Sequence, residues 1–408
     1  MRRLRDALTL LTLRGCALLA AGIVLVIAAM LIDQPLLLSA GVLAVVLVVV
    51  AASSARVAPG QVRVTRLVPS PVVPLGASLA VTVHLQVEAK ADLRWTETLS
   101  PSLGPAPELL TAVDGYHRLD YTVEPVRRGR IDLGPMEVRR SDPFGLAEKH
   151  WVVSGATPVI VTPATVPLAT IGWGGSSSTS GDQQSRLFAT GSAEDTTVRE
   201  YRRGDDLRRV HWRSTARAGE LMVRGEEQPW QAQATVMIDH RATAHRGEGA
   251  GSSFETAVSA AASVCVHLLA RGFSVRLVTA TLALTPPLTV PGPLLEALAD
   301  IEPTDTAVAD PHVLADTSAL TIVVLGGAAP LPTEALRRAR VGSGSTLALV
   351  VDSERWTGAE PPSAHHHPSA GTAEAVHRLR DAGWRASSVL RQEHAVSRAW
   401  MGLRSARG

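Results

Sequence analysis

Ala234-Thr-Val-Met-Ile238, Phe254-Glu-Thr-Ala-Val-Ser-Ala-Ala-Ala-Ser-Val-Cys-Val-His-Leu-Leu-Ala270 and Ser274-Val-Arg-Leu-Val-Thr279 follow one another as an apolar strand, a long helical pattern and a second apolar strand. The alternation continues with a helix over 294–299, a strand over 320–325, a helix over 333–340 and a strand over 346–351. A loop over 358–371, rich in Pro, Ser and His, leads to a last helix over 372–382 and a strand near 387–390. Parallel neighbours need crossover connections, so strands alternating with helices predict a doubly wound parallel α/β sheet for residues 231–408.

Upstream the texture is different. Between about 56 and 165 the chain reads as short strands with period-two alternation, such as 79–87 and 119–124, bounded by Pro and Gly. Such strands predict a β-sandwich-like domain. Residues 129–135 and 136–139 read as one more strand pair, and Ser141-Asp142-Pro143-Phe144-Gly145-Leu146 as a tight turn in which Asp caps, Pro fixes φ and Gly tolerates positive φ. A polar stretch inside 166–192, Gly174-Gly-Ser-Ser-Ser-Thr-Ser180 at its centre, reads as a flexible linker.

Residues 1–55 hold two uncharged apolar runs, 16–32 and 36–52, separated by Asp33-Gln34-Pro35. Two such runs back to back predict a two-span membrane hairpin rather than an export signal. Arg2, Arg3, Arg5 and Arg14 precede it and Arg56, Arg63 and Arg66 follow it, with no basic residue in the turn. Both ends are therefore expected in the cytoplasm, at the inner membrane, with the bulk of the chain cytoplasmic.

Net charge is +2 over 408 residues, which demands no nucleic-acid partner. The two cysteines, Cys16 and Cys265, make neither a disulfide framework nor a metal site. No dinucleotide fingerprint, phosphate loop or nucleophile elbow appears, and His365-His366-His367 reads as a solvated tract between prolines.

Residues 193–230 carry a signature. Tyr201-x-x-Gly204-Asp205, then Arg208-Arg209-Val210-His211-Trp212, then Ala216-Arg217 stand in order. Read from the residues, Gly204-Asp205 is a turn, and the eight arginines from Arg199 to Arg224 are interleaved with Glu200, Asp205, Asp206 and Glu220, which favours internal ion pairs over a phosphate-binding stripe. Trp212 and Trp230 read as anchors burying area against the sheet. The signature resembles the bacterial family called domain of unknown function fifty-eight. The similarity extends to the membrane hairpin, the Arg-Gly strand pair and the Asp-Pro-Phe-Gly-Leu turn. It implies that Tyr201, Gly204, Asp205, Arg209, His211, Trp212 and Arg217 form the signature or interaction surface, and that the C-terminal domain is similar to von Willebrand factor type A. It implies, as partners, a MoxR-type AAA+ ATPase and a transglutaminase-like membrane protein.

In von Willebrand type A domains the first strand ends in Asp-x-Ser-x-Ser, whose oxygens hold Mg²⁺. Here the matching place is Asp239-His240-Arg241-Ala242-Thr243. Asp239 and Thr243 keep the pattern, but Arg241 puts a fixed positive charge where a hydroxyl belongs. Gly326-Gly327 follows the third strand without an Asp, and Thr304-Asp305-Thr306 is a loose candidate for another ligand loop. The site is expected to be a degenerate one without metal, and no cofactor is expected. The reading is a non-enzymatic, membrane-anchored scaffold or adaptor working with the ATPase in complex assembly or envelope maintenance. The competing reading is a membrane-anchored hydrolase built on Asp205, Asp206 and His211.

Overall fold

A computed structural model describes residues 10–56, 62–87, 93–104, 108–112, 115–171, 198–201, 210, 212–224, 232–305, 314, 318–356, 367–392 and 394–405. The chain divides into two units, residues 1–164 and 165–408.

Among its described residues the first unit has, in chain order, two helices first, α1 (Leu13–Ile32) and α2 (Pro35–Arg56). The Thr12 hydroxyl caps α1 by accepting from Gly15 N, and Asp33, at φ 56°, closes it in the left-handed region. Pro35 opens α2 where a missing N–H costs nothing. With 20 and 22 residues and mean hydropathies of 2.8 and 2.7, both are long and apolar enough to cross a membrane. Leu13, Val24, Met30, Leu43 and Val49 are exposed on them, an apolar surface of the kind that marks a membrane or protein contact.

Among the described residues nine strands follow: β1 (Val62–Leu67), β2 (Val72–Pro74), β3 (Leu79–Val87), β4 (Leu93–Leu99), β5 (Glu108–Ala112), β6 (Gly115–Val123), β7 (Gly129–Ser141), β8 (Glu148–Ser154) and β9 (Thr157–Thr162). They form a three-stranded sheet, β1-β3-β6, and a larger one, β2-β9-β7-β4-β5, with β8 also on β7. Alternate residues of both sheets, among them Val81, Val83, Leu85, Trp95, Met136, Val138 and Val159, share one buried core. That makes the unit sandwich-like. Arg66 of β1, Glu97 of β4 and Tyr121 of β6 meet within it: the guanidinium pairs with the carboxylate and the phenol donates to it.

The second unit contains β10 (Val198–Glu200), α3 (Trp212–Ala218), β11 (Met222–Arg224), β12 (Gln233–Ile238), α4 (Ser253–Ala270), β13 (Ser274–Thr279), α5 (Pro291–Ala299), β14 (Ser318–Gly326), α6 (Thr333–Gly342), β15 (Ser343–Val351), α7 (Ala370–Asp381), β16 (Arg385–Val389) and α8 (Ala395–Ser405). Five strands make a wholly parallel sheet in the order β13-β12-β14-β15-β16. Counted within the sheet this is 2-1-3-4-5, a common doubly wound order, and its switch point lies between β12 and β14. One face packs on α4, α5 and α8 and the other on α6 and α7, so the central strands are buried on both faces. Helix α4 also has the length of a span, but its mean hydropathy is only 1.4 and 61% of it is buried in this core.

Three expectations need correction. The strand pair expected over 129–139 is the single strand β7. Gly134, at φ 93°, bends the chain without reversing it, so 129–133 pairs with β9 and 136–141 with β8 along the same edge. Of the linker expected over 166–192, residues 166–171 pack on the α/β unit, and 172–192 lie outside the described residues. Val166 N donates to the Ser263 hydroxyl, Trp400 Nε1 donates to Ala169 O at 2.8 Å, and Ile171 is 1% exposed against the α/β core. The helix over 370–381 is not the last, since α8 follows β16 and buries Trp400 and Leu403.

Candidate functional site

In open α/β sheets, ligands bind beyond the carboxyl ends of the strands at the switch point. Here that place is built from the end of β12. Asp239 is fully buried and Arg241 is 4% exposed. Arg241 Nε donates to Asp239 Oδ1 at 2.8 Å, Nη2 donates to Oδ2 at 2.7 Å, and the Arg241 main-chain N–H adds a bond to Oδ1 at 3.2 Å. The pair is thus bidentate, the geometry that a planar guanidinium suits best. Carboxylate bonding holds the guanidinium pKa above its ordinary value. Arg241 Nη2 also reaches Pro330 O in the loop after β14, tying the two strands that flank the switch point.

Around this pair the backbone is tightly fixed. Thr304 N donates to His240 O and Ala242 N to Thr304 O, so the loop at 304 does come alongside Arg241. A Cβ at Gly326 would lie 2.1 Å from Ala244 O, which is why the third strand ends in glycine rather than in a carboxylate. His245 Nε2 donates to Asp239 O at 2.7 Å, leaving Nδ1 to accept from the Ser253 hydroxyl at 3.3 Å. Burial lowers the His245 pKa below its usual value, and likewise that of His240. Ser253 and His245 resemble a nucleophile and base, but they are 0% and 6% exposed and Ser253 also accepts from Arg246 N, so they serve as structural links.

Beside the pair opens a cavity of about 630 Å³, lined by Arg241, Thr243, Arg246, residues 328–332 and the first turn of α6. Thr243 and Arg246 are exposed at it, and Arg246 Nη1 is braced by the carbonyls of Thr243 and His245. Thr243 therefore faces the recess, while Asp239, its expected partner in a metal site, is engaged by Arg241. Among the described residues no three His, Cys, Asp or Glu side chains cluster as a metal would need.

One neighbouring carboxylate escaped the sequence reading. Asp352, fully buried after β15, accepts from Ser369 N at 3.0 Å, from the Ser369 hydroxyl and from Thr372 Oγ1 at 3.0 Å. Its signal was an Asp directly after an apolar strand, the same as for Asp239.

Of the signature residues, Tyr201, Trp212 and Arg217 are described, whereas Gly204, Asp205, Asp206, Arg209 and His211 lie outside the described residues, as does Trp230. Tyr201 N donates to Leu221 O, extending the antiparallel β10-β11 pair, and Met222 N donates to the Thr215 hydroxyl of α3. Trp212 opens α3 and is 72% exposed, which corrects the expectation of a buried anchor. Its burial was inferred from residue type alone, and on a seven-residue helix with no buried position it has nothing to pack beneath. Arg217 is exposed near the end of the same helix.

The model of the family described as "Protein of unknown function DUF58" matches residues 197–320, the stretch running from the signature through Asp239 and Thr304. The match supports that family, and its description assigns no activity. No curated protein matches. Among solved structures, the PKD domain of an M14-like peptidase from Thermoplasmatales archaeon SCGC AB-540-F20 is similar at 11% identity over 25% of this chain and 94% of that one, with a TM-score of 0.18, and carries no argument.

Proposed function

We propose, taking the match of residues 197–320 to a family without an assigned activity as the premise, that this chain is a non-enzymatic membrane-anchored adaptor. The two apolar helices fix it in the inner membrane with the sandwich-like and α/β units in the cytoplasm. The α/β unit, read as a von Willebrand type A-like scaffold, presents the carboxyl edge of its sheet to a MoxR-type AAA+ ATPase. The supporting observation is the buried Arg241–Asp239 pair. In a metal-dependent edge the carboxylate at the end of the first strand faces a cation with open coordination positions. Here a guanidinium bonded to both carboxylate oxygens stands in that place. What remains at the edge is the 630 Å³ recess with Arg246 at its rim, suited to a side chain of a partner protein.

A photo-crosslinking residue at Thr243 or Leu331 of the full-length membrane protein tests this reading. Crosslinks to the ATPase, weakened by Arg246→Glu, are the expected result. A preparation that hydrolyses a substrate and loses that activity with His211→Ala would overturn it in favour of the hydrolase.

A further inference from the structure

The tip of the β7–β8 hairpin lies against the membrane helices rather than beyond them. Leu11 and Ala147 pair as a β-bridge, Thr12 N donates to Leu146 O at 3.0 Å, Glu148 N donates to Leu10 O at 2.7 Å, and the Thr12 hydroxyl donates to Gly145 O at 2.7 Å. A Cβ on Gly15 would sit 2.0 Å from Leu146 O, so α1 meets the hairpin at backbone contact. Leu146 and Ala147 are buried in one cluster with Val48, Ala51, Ala52 and Ala55 of α2, with Leu18 and Leu19 of α1 packed against it. At 1.5 Å per residue, Leu19 stands about 9 Å along α1 from Leu13, and Val48 about 12 Å back from the end of α2. The hairpin tip therefore overlaps the ends of both apolar helices.

At that tip Pro143 and Phe144 face outward, and Phe144 is 62% exposed. The turn is held rigid. The Asp142 carboxylate, on a residue 5% exposed, accepts from Phe144 N at 2.8 Å and from Ala147 N at 2.6 Å. An exposed aromatic ring on a fixed turn, level with exposed Leu13 and Arg14 of α1, matches the chemistry of the bilayer interface, where apolar rings enter the acyl boundary and arginines meet anionic headgroups.

We infer that the Asp142–Leu146 turn is a lipid-contacting foot, with Phe144 inserted in the interfacial layer, where it sets the sandwich-like unit's orientation to the membrane. The inference rests on the membrane reading of α1 and α2. It adds a third point of attachment, which resists rotation about the helix pair.

Nitroxide labels in the full-length chain, with Cys16→Ala and Cys265→Ala as background, test it in vesicles of phosphatidylcholine and phosphatidylglycerol. The sites are Phe144→Cys, Val24→Cys within α1, and Val126→Cys, which is exposed just ahead of the opposite end of β7. The expected result is several-fold lower access of a water-soluble nickel chelate at 144 than at 126, with oxygen access and relaxation by headgroup-proximal spin-labelled lipid both raised. If 144 matches 126 while 24 lies in lipid, the foot is wrong and the membrane anchor stands. Protection at 144 without a gain in oxygen access would mean burial in protein and would also overturn it. Aqueous behaviour at 24 would remove the anchor and the foot together.

Discussion

Arg241 meets Asp239 edge to edge, two N–H groups on two oxygens at 2.8 and 2.7 Å, with the carboxylate wholly buried and the guanidinium nearly so. Two charges withdrawn from water are tolerable only as a pair, because either one alone would keep the full cost of its lost hydration. The pair is therefore a structural clamp at the end of β12 that engages both oxygens of the Asp239 carboxylate.

Removing one partner should be much worse than removing both. Arg241→Ala is expected to cost about 3–5 kcal/mol, as breaking a buried pair does. Asp239→Asn combined with Arg241→Met should recover much of that loss. Urea unfolding of the detergent-solubilised protein checks both, and equal losses for single and double variants would show that the pair is not coupled.

The unfolding midpoint of the wild-type protein should be the same with millimolar Mg²⁺ and with a chelator, because a ligand stabilises only what it binds. Arg241→Ser removes the competing cation and frees the Asp239 carboxylate, so its midpoint should rise with Mg²⁺. A Mg²⁺-dependent rise in the wild type would overturn the expectation that Arg241 keeps the Asp239 carboxylate from a cation.

Acid should loosen the α/β unit through its buried histidines. Burial lowers the His245 pKa from about 6.5, so below that value the unfolded chain binds a proton the folded one resists. Stability is then full above the unfolded value and falls as pH drops from about 6.5 towards the lowered folded pKa, with His240 acting in the same direction. His245→Gln, which keeps an N–H for Asp239 O, should flatten the midpoint between about pH 7 and pH 5.5. An unchanged slope would assign the effect elsewhere.

Asp142→Ala strips the acceptors from Phe144 N and Ala147 N at a nearly buried position. The expected loss is about 1–3 kcal/mol. Limited proteolysis should show new cleavage within 142–147, and an unaltered pattern would mean that the turn is held by its neighbours alone.

The α/β unit was legible because parallel strands covered on both faces leave uninterrupted apolar runs, as in Val323-Val324-Leu325 and Leu347-Ala348-Leu349. The fixed charge of Arg241 where a hydroxyl would stand was legible too, whereas its bidentate bond to Asp239 was not. What escaped depends on partners distant in sequence. Residues 166–171 look like linker until Trp400, 231 positions after Ala169, supplies a donor. Gly134-Pro135 reads as a turn until β8 and β9 are seen aligned along one edge of β7. Asp352 stands directly after an apolar strand, but its partners Ser369 and Thr372 lie 17 and 20 residues further on.

The bonds between Thr12 and Gly145 span 133 residues, so at about 5–20 residues per second the first partner waits on the order of 7–27 s for the second to leave the ribosome. Helices α1 and α2 are complete long before the hairpin that docks on them exists. Through that interval the surface later covered by Leu146 has no cover from the hairpin. Its make-up of Gly15, Ala51, Ala52 and Ala55 suits the delay, since small residues leave little unsatisfied in the meantime. Docking of the sandwich-like unit is thus a late event in synthesis, timed by translation rather than by the helices themselves.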